Sequence, residues 1–468
     1  MITRNETLVV PQPIFQRLHR HLFPGDGLEA AALLLCTRVT GRRRKLLACD
    51  LVAVPYEACA QRTENFLSWP GSYVEMAIER AEAAGLSILA VHSHPGGFFA
   101  FSDLDDASDR LLLPALFQGT DAVAGAAIML PDGAMKGRLY GADKITKPID
   151  LVNVIGDDLR FWWQQDAALG TSAPKRPVAF TSGMTEWLGR LSVCIIGVSG
   201  TGSVVGEQLA RLGFGEIIVI DFDRIELRNL NRILNATIAD VKAGRLKVEM
   251  FASAVKHHRA GCDVQCIPNS IATRDAVLAA SEADILFSCV DTAEGRHIAD
   301  RLAAYCAMPL IDLGVSIPTR RGWGDEREIA EVCGRIDYVF PGGSTLLDRG
   351  VYDGALLEAE YLARTAPDAH RQKLADGYLR GVEEQAPAVI ALNMRAASDA
   401  VMEFIARAFP FRHSPNSSRA RTLFMLADGD ADVLGERDFL PTGSYPVAVG
   451  LQEPLLGLPA LGKQRRAA

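Results

Sequence analysis

The sequence predicts an α/β protein of at least two domains, with a mostly parallel sheet in the second. The chain has 468 residues, about three times the length of a typical domain. Hydrophobic residues make up 49% and charged residues 23% of it, as in an ordinary globular protein. Beyond residue 191, short β-branched runs alternate with helical stretches, which is typical of a parallel sheet covered on both faces.

The apolar periodicity predicts elements in two blocks. The first block has strands at 28–36, 46–54, 88–91 and 122–130, with helices at 72–84 and 103–113. The second block has strands at 193–196, 217–220, 264–267, 285–287 and 310–311, and a late helix at 388–409.

These blocks predict four regions along the chain. The first domain is expected over 1–150 and the second over 181–410. Residues 151–180, which include a Ser- and Pro-containing stretch, are expected to connect the domains. Residues 411–468 are rich in proline and are expected to form an irregular extension.

Composition excludes several classes of protein. The 49 basic and 57 acidic residues give a net charge of -8, which argues against a dedicated nucleic-acid binder. No run approaches the roughly 20 apolar residues of a membrane helix, and the first residues do not resemble a secretory signal. The nine cysteines form no Cys-x-x-Cys pair. We therefore expect a cytoplasmic protein with no membrane partner.

One group of polar residues predicts a metal site. His92 and His94 end a strand and point to one face. The loop 95–97 turns the chain, so that a helix brings Asp105 to the histidines. Two imidazoles and a carboxylate with one open position form a catalytic Zn2+ site, at which the metal polarises a carbonyl and activates water. A hydrogen-bonded loop, with Ser102 and Asp105 as a helix capping box, is the simpler alternative.

The pattern His-x-His-Pro followed by Ser-x-x-Asp resembles the JAMM motif of the JAB/MPN metalloprotease family, which includes deubiquitinating isopeptidases. The resemblance implies an upstream glutamate, and Glu29 fits that place. It further implies that Glu29 acts as general base and proton shuttle, and that Ser102 helps to stabilise the oxyanion of the tetrahedral intermediate.

A second group predicts a nucleotide site. A glycine loop follows a predicted strand and opens a helix, where the backbone can approach a phosphate. Asp221 ends the next strand, in the place of a ribose-binding carboxylate. At this point a dinucleotide oxidoreductase fits nearly as well. The candidate loop residues are Gly197, Gly200, Gly202 and Ser203.

Charged residues further along favour ATP over a nicotinamide cofactor, because arginine and lysine would balance a triphosphate and a carboxylate would hold Mg2+. Over about 180–410 the series resembles the ThiF/MoeB/ubiquitin-activating superfamily, in which a C-terminal carboxylate attacks the ATP α-phosphate to give an acyl-adenylate. The resemblance implies ribose-side roles for Asp221 and Asp223, phosphate contacts for Asn229, Arg232 and Lys247, and a Mg2+ site at Asp291. Of these, Arg232, Lys247 and Asp291 are the implied catalytic residues.

The sequence departs from that superfamily downstream. No cysteine follows Cys333, so a second zinc site and a thioester on the usual loop are not expected. Cys333 itself is typical of a strand residue. Three outcomes remain open: the reaction stops at the adenylate, the acyl group passes directly to a partner, or Ser344 or Thr345 forms an oxyester.

Together the two resemblances imply a JAB/MPN-like α/β metalloprotease domain followed by a Rossmann-like, mostly parallel-sheet ThiF-type adenylation domain. Both families act on the C-terminus of a ubiquitin-like protein, and the fusion resembles prokaryotic ubiquitin-like modification systems. The implied partners are a ubiquitin-like modifier, a ubiquitin-conjugating-like enzyme and a second copy of the chain in a homodimer.

Three alternatives to this interpretation remain. They are a sulfur-carrier activator that makes a thiocarboxylate, a peptidase with a non-catalytic docking domain, and a nicotinamide oxidoreductase fused to a peptidase. Modifier-dependent ATP–pyrophosphate exchange would exclude the last two.

Overall fold

The computed structural model describes residues 2, 4–119, 123–141, 145–167, 172–322, 326–366 and 389–463. Within them the chain forms two large sheets, of nine and eight strands, and two small two-stranded ones. Helices lie against both large sheets. The protein is therefore α/β in both halves, as the sequence predicts.

The elements of the first half are as follows. The strands are β1 (Glu6–Pro11), β2 (Ala31–Val39), β3 (Arg44–Ala53), β4 (Gln61–Arg62), β5 (Leu67–Ser68), β6 (Ser87–Ser93), β7 (Ala124–Met129), β8 (Met135–Tyr140), β9 (Thr146–Pro148), β10 (Leu151–Ile155) and β11 (Leu159–Trp163). The helices are α1 (Gln12–Leu22), α2 (Ser72–Ala84), α3 (Asp103–Gly119) and α4 (Gln164–Ala167).

The first large sheet has the strand order β11-β10-β1-β3-β2-β6-β7-β8-β9. Helix α1 covers one face through an apolar cluster that includes Leu18 and Leu34. Helices α2 and α3 cover the other face over β2, β6, β7 and the Val52 end of β3, through Leu33, Ala77 and Leu116. The part of that second face over the rest of β3, β1, β10 and β11 is left for another element to bury.

The elements of the second half follow in the same notation. The strands are β12 (Ser192–Ile196), β13 (Glu216–Ile220), β14 (Asp263–Ile267), β15 (Ile285–Ser288), β16 (Leu310–Ser316), β17 (Thr319–Arg321), β18 (Arg327–Ile329), β19 (Cys333–Val339), β20 (Arg421–Met425) and β21 (Asp430–Leu434). The helices are α5 (Ser182–Leu188), α6 (Gly200–Leu212), α7 (Ile238–Lys242), α8 (Lys247–His258), α9 (Arg274–Ser281), α10 (Ala293–Tyr305), α11 (Gly354–Thr365) and α12 (Ile390–Ala408).

The second large sheet has the order β14-β13-β12-β15-β16-β19-β20-β21. Its first five strands are parallel, which confirms the parallel sheet predicted from the sequence. Every residue of β12, β13 and β15 is buried, so both faces of the central strands are covered. The remaining three strands are antiparallel additions.

Two segments that were expected to lie outside the domains contribute strands to the sheets. Residues 151–180, expected to connect the domains, supply β10 and β11 at one edge of the first sheet. Residues 411–468, expected to be irregular, supply β20 and β21 to the second sheet. In each segment one strand pairs both with its neighbour along the chain and with a strand distant in sequence, β10 with β1 and β20 with β19.

The two halves share one apolar core. Val9, Leu47 and Phe161, on the otherwise uncovered face of the first sheet, pack in the same cluster as the core of the second half. On that face Lys45 is 2% exposed and donates hydrogen bonds to the carbonyl oxygens of Ser281 (2.9 Å) and Ala283. The second half therefore completes the burial that α2 and α3 leave unfinished.

Candidate functional site

The three predicted metal ligands converge at the end of β6. His92 lies in the strand, His94 follows it, and Asp105 lies in the first turn of α3. The atoms through which they could coordinate a metal lie within 4.8 Å of one another. The His92 Nε2 atom is 3.0 Å from His94 Nε2 and 2.9 Å from Asp105 Oδ1, while His94 Nε2 is 3.5 Å from Asp105 Oδ2. Among the described residues, no other such group of His, Cys, Asp or Glu is found.

The orientation of His94 makes this group suitable for a cation. Its Nδ1 atom lies 2.7 Å from the carbonyl oxygen of Phe98, which can only accept, so Nδ1 carries the proton. In the neutral imidazole Nε2 is then an acceptor. Gly97, with φ +79°, donates to the His94 carbonyl at 3.0 Å and makes the turn that returns the chain. Acceptors that face one another in this way fit a shared metal ion such as Zn2+.

Hydrogen bonds at the start of α3 hold the side chain of Asp105 in place. The Ser102 N–H and Oγ–H donate to Asp105 Oδ2 at 2.6 and 2.9 Å, and the Asp105 N–H donates to Ser102 Oγ at 3.2 Å. This is the capping box that the sequence offered as an alternative, and it coexists with the metal-ligand geometry. Although burial opposes it, hydrogen bonds with His92 and His94 hold the pKa of Asp105 well below its usual range. The role of Ser102 at an oxyanion stays a prediction.

Glu29 lies immediately before β2 and shares a pocket with His92 and Asp105. The pocket has a volume of about 340 Å³. Glu29 is 8% exposed, and burial raises the pKa of its carboxyl, against the opposing effect of the two histidines. Its peptide group is held by the β4–β5 hairpin: its N–H donates to the Thr63 carbonyl at 2.9 Å, and Arg62 Nε donates to its carbonyl at 2.7 Å. The sequence analysis missed this hairpin.

The predicted glycine loop joins β12 to α6. Gly197 has φ +88°, and a Cβ there would lie 2.9 Å from the carbonyl oxygen of Cys289. A Cβ at Gly202 would collide with the carbonyl oxygen of Gly197. Both positions therefore require glycine. The first turn of α6 starts at Gly200, so unpaired N–H groups of a helix end lie at this loop.

Asp221 and Lys247 lie next to the loop. Asp221 Oδ2 accepts from the Val198 N–H at 2.8 Å, and its Oδ1 accepts from the Asp223 N–H at 2.9 Å. Burial raises the pKa of Asp221. Lys247, 5% exposed at the start of α8, places Nζ 2.6 Å from Asp223 Oδ2 and 3.9 Å from Asp221 Oδ1. The structure thus brings Asp221, Asp223 and Lys247 together. Their contacts with a nucleotide stay predictions.

The remaining candidates differ in their exposure and in the hydrogen bonds that they already make. Asn229 is 5% exposed, and its Oδ1 accepts from the Glu226 N–H at 3.0 Å. Ser203 Oγ accepts from the Leu234 N–H at 3.1 Å, so its hydroxyl connects α6 to the following loop. Arg232 Nη1 donates to the Arg228 carbonyl at 2.8 Å, and its Cδ would be 3.3 Å from a Cβ at Gly200. Asp291 is exposed and follows β15.

Sequence reasoning missed Asn393. This residue of α12 is 2% exposed, and a Cβ at Gly200 would collide with its side-chain amide. It lies far from the loop in sequence. The only signal was the helical spacing of 388–409, which predicts packing and does not single out an amide.

The candidate acyl acceptors are poorly placed for nucleophilic attack. Ser344 is 0% exposed and its Oγ accepts from Arg349 Nε at 2.8 Å. Thr345 is 9% exposed, and its Oγ1 accepts from the Asp348 N–H at 3.1 Å. Cys333 lies in β19, as its surroundings predict, and burial raises the pKa of its thiol. A reactive thiolate needs the opposite shift.

None of the helices within the described ranges combines the length and apolar content needed to span a bilayer.

Comparisons with known proteins identify relatives of the second half. The ubiquitin-like modifier-activating enzyme 5 of Drosophila pseudoobscura pseudoobscura is 32% identical over 114 residues, which are 22% of this chain and 29% of that protein. The enzyme of the same name from Caenorhabditis elegans is 30% identical over 162 residues, or 32% of this chain and 35% of that protein. The chain thus spans about a third of the length of these curated relatives.

Solved structures of MccB from E. coli are also similar. The complex with ATP has 19% sequence identity and a TM-score of 0.41, over 56% of this chain and 68% of that one. The complex with MccA-N7isoASN has 19% identity and a TM-score of 0.43, over 57% and 69%.

Family models match both halves of the chain. Residues 11–131 match the prokaryotic homologs of the JAB domain, and residues 176–344 match the ThiF family. The first range contains the three converging ligands and the second contains the glycine loop. The chain is therefore a fusion of a prokaryotic JAB-type domain with a Rossmann-like ThiF-family domain.

Proposed function

We propose that this protein is a bifunctional enzyme of a ubiquitin-like modification pathway. Its ThiF-family half adenylates the C-terminus of a ubiquitin-like protein with ATP, and its JAB-type half is a zinc-dependent peptidase or isopeptidase that processes or releases the same protein. The observation that carries this proposal is the presence in one chain of three converging side chains of metal-ligating type and, near Lys247, a loop in which Gly197 and Gly202 have no room for a side chain.

The peptidase half supplies two kinds of group. His92, His94 and Asp105 would hold Zn2+, which when bound polarises the scissile carbonyl and activates water. Glu29 takes a proton from the attacking water and returns it to the departing amine. Its raised pKa suits this role, because a base works best when its pKa lies near the working pH. Ser102 holds the Asp105 carboxylate in place and, as implied by the JAMM resemblance, assists at the oxyanion.

The adenylation half acts mainly by position and charge. Backbone N–H groups of the Gly197–Gly202 loop cradle phosphate oxygens. Lys247 and Arg232 neutralise the charge that develops on the departing pyrophosphate, and Asn229 contributes a phosphate contact. Asp221 and Asp223 lie at the ribose side, and Asp291 would hold Mg2+. The attacking carboxylate then forms a mixed anhydride with AMP.

We further propose that the acyl group leaves the adenylate for a partner and not for a residue of this chain. The buried Ser344 and Thr345 and the hydrogen-bonded Cys333 support this proposal. A ubiquitin-conjugating-like enzyme would supply the thiol, and the chain would work as a homodimer. We also propose domain limits of about 1–163 and 181–434, in place of 1–150 and 181–410, because these limits include every strand of each sheet.

The test uses the full chain and a purified ubiquitin-like modifier with a short C-terminal extension. Zinc-loaded protein should remove the extension, and a chelator should abolish the cleavage. The trimmed modifier should then support ATP–pyrophosphate exchange, whereas the extended one should not.

Two results would overturn the proposal. Cleavage that persists after complete zinc removal contradicts the peptidase assignment. Failure of any trimmed modifier to stimulate exchange, with ATP binding intact, assigns the ThiF-type half a docking function instead. Release of a thiocarboxylate in place of a protein adduct would indicate sulfur-carrier activation.

A further inference from the structure

One face of the second large sheet carries a row of polar residues across four strands. The strand register places Ser288 opposite Asp312, Asp312 opposite Asp337, and Asp337 opposite Arg421. Ser288 Oγ donates to Asp312 Oδ1 at 2.6 Å. Asp312 and Asp337 are both 0% exposed. Carboxylates buried this deeply remain charged only when cations pair with them.

Four arginines surround these carboxylates and leave one positive charge in excess. Arg335 pairs with Asp312 at 2.7 Å and also with Asp337. The four guanidinium groups share three ion-paired carboxylates within the described part of the chain. The ion pairs are Arg296–Asp312, Arg335–Asp312, Arg335–Asp337, Arg349–Asp337, Arg421–Asp337 and Arg349–Glu436.

Arg296 is the least satisfied of the four. It extends from the second turn of α10, and its Nε lies 3.5 Å from Asp312 Oδ1 without making a hydrogen bond. The Arg296 and Arg335 side chains are 16% and 18% exposed, so an incoming group can reach both. Because Nε is itself buried, the Arg296 donors that a ligand could reach are those of its Nη atoms.

Gly314 lies next to the ends of both arginines. It lies directly opposite Arg335 in the strand register. A Cβ at Gly314 would lie 3.3 Å from Arg296 Nη2 and 3.4 Å from Arg335 Nη2. The two guanidinium ends thus meet over a residue with no side chain. This arrangement allows an anion to approach both arginines over the backbone.

We propose that Arg296 and Arg335 form an oxyanion subsite over Gly314 that binds the terminal carboxylate of the peptide tail before adenylation. The proposal rests on the adenylation function above and adds the residues that hold its second substrate. Guanidinium pairs suit a planar carboxylate because each donates two parallel N–H groups.

The position of the subsite favours the peptide carboxylate over a nucleotide phosphate. The glycine loop follows β12, whereas Gly314 lies in β16, two strands away. At the usual strand spacing this separation is about 10 Å. A phosphate cradled by the loop would not also lie between these arginines, but a tail that approaches the nucleotide over β16 would.

The test measures binding directly, so that it does not depend on turnover. The probes are a flexible Gly/Ser peptide as the free acid, the same peptide as the C-terminal amide, and a non-hydrolysable ATP analogue. Wild-type protein should bind the acid about tenfold more tightly than the amide. Arg296→Gln and Gly314→Val should remove this preference and leave the affinity for the ATP analogue unchanged, and Arg296→Lys should restore part of it.

Controls separate a binding effect from a folding defect. Gly261→Ala places a Cβ in open space and should change nothing. Gly314→Ala, a milder change than Gly314→Val, should give a smaller loss of the same kind, and peptidase activity should survive in every variant.

Each remaining outcome has a distinct meaning. Equal binding of acid and amide by the wild-type protein overturns the subsite. Loss of affinity for the ATP analogue in Arg296→Gln assigns the arginines to phosphate and also overturns it. If the acid preference is present but no modifier ever supports pyrophosphate exchange, the subsite stands and the proposed adenylation function fails.

Discussion

The group of His92, His94 and Asp105, here called the metal-type site, and the group of the glycine loop with Lys247, the glycine-loop site, differ in how their charges are balanced without a ligand. At the first, His92, His94 and Asp105 direct acceptor atoms at one another, and the arrangement is favourable only when a cation or proton lies between them. At the second, Lys247 already pairs with Asp223, and the loop is built from backbone. The first site therefore needs a cation or a proton, whereas the charges at the second are balanced without a ligand.

The largest effect should follow from removing a ligand of the metal-type site. Asp105→Ala leaves two imidazoles without their carboxylate, so we expect zinc binding and cleavage to fall to background while pyrophosphate exchange persists. Zinc content by mass spectrometry and cleavage of an extended modifier measure the two effects. His413→Ala removes an exposed histidine and is the matched control. Full cleavage by zinc-free Asp105→Ala would contradict the contrast between the sites.

A nearly equal effect is expected from Gly202→Ala in the other half. The new Cβ would collide with the Gly197 carbonyl, so the loop must open and its N–H groups lose their alignment. We expect ATP binding, measured by titration with a fluorescent ATP analogue, to be lost and cleavage to persist. Gly261→Ala, with open space around the Cβ, should behave as wild type. Normal ATP affinity in Gly202→Ala would show that the loop does not hold phosphate.

Glu29→Gln separates proton transfer from metal binding within the metal-type site. Glutamine keeps the shape of the side chain but cannot take a proton, so cleavage should slow by roughly 10²–10⁴-fold. Zinc content should stay at the wild-type level because Glu29 is not among the three converging ligands. A loss of zinc in this variant would make Glu29 a ligand instead of a base.

The sequence predicted the convergence of His92, His94 and Asp105 because these residues are local. They lie within one strand–loop–helix unit, in which the two histidines point to one face and the turn at 95–97 returns the chain so that α3 brings the carboxylate. The capping box at Ser102 is equally local. Glu29 was placed only through the family resemblance, since no local pattern links it to the histidines.

Apart from the local β4–β5 hairpin, the features that were missed depend on contacts distant in sequence. Strands β10 and β20 join their sheets through partners far along the chain, β1 and β19, and periodicity does not encode such partners. The contact of Asn393 with Gly200 belongs to the same class. So does the shared core of the two halves, where the second half covers part of the first sheet.

A smaller effect is expected from Lys247→Ala. Removing the cation leaves Asp221 and Asp223 without their ion pair and takes away one stabilising charge from pyrophosphate departure. We expect pyrophosphate exchange to fall by about 10²-fold, in the range of a single electrostatic donor. Lys256→Ala, on the exposed side of the same helix, is the control. An equal loss in both variants would indicate damage to α8.

The smallest expected effect is on stability, and it contrasts the partly buried Asp105 with the fully buried Asp300. Asp105 faces imidazoles, which lower its pKa, whereas Asp300 lies among backbone amides and Tyr352, and burial raises its pKa to about 7. The unfolded chain releases this proton near pH 4, so between about pH 4 and 7 the folded state binds more protons and stability falls as the pH rises. Asp300→Asn should flatten that fall by up to about 1.4 kcal/mol per pH unit.

Denaturation midpoints at several values between pH 5 and 7 measure this slope, with the exposed Asp275→Asn as the control. The Asp300 carboxylate accepts from the N–H groups of Leu346 and Leu347 at 3.1 and 3.2 Å, and these bonds oppose its protonation. If Asp300→Asn keeps the wild-type slope, the two amides, Tyr352 and the nearby charge of Arg349 are enough to keep the acid charged despite its burial. The contrast with the metal-type site would then lie in the donors that each acid meets.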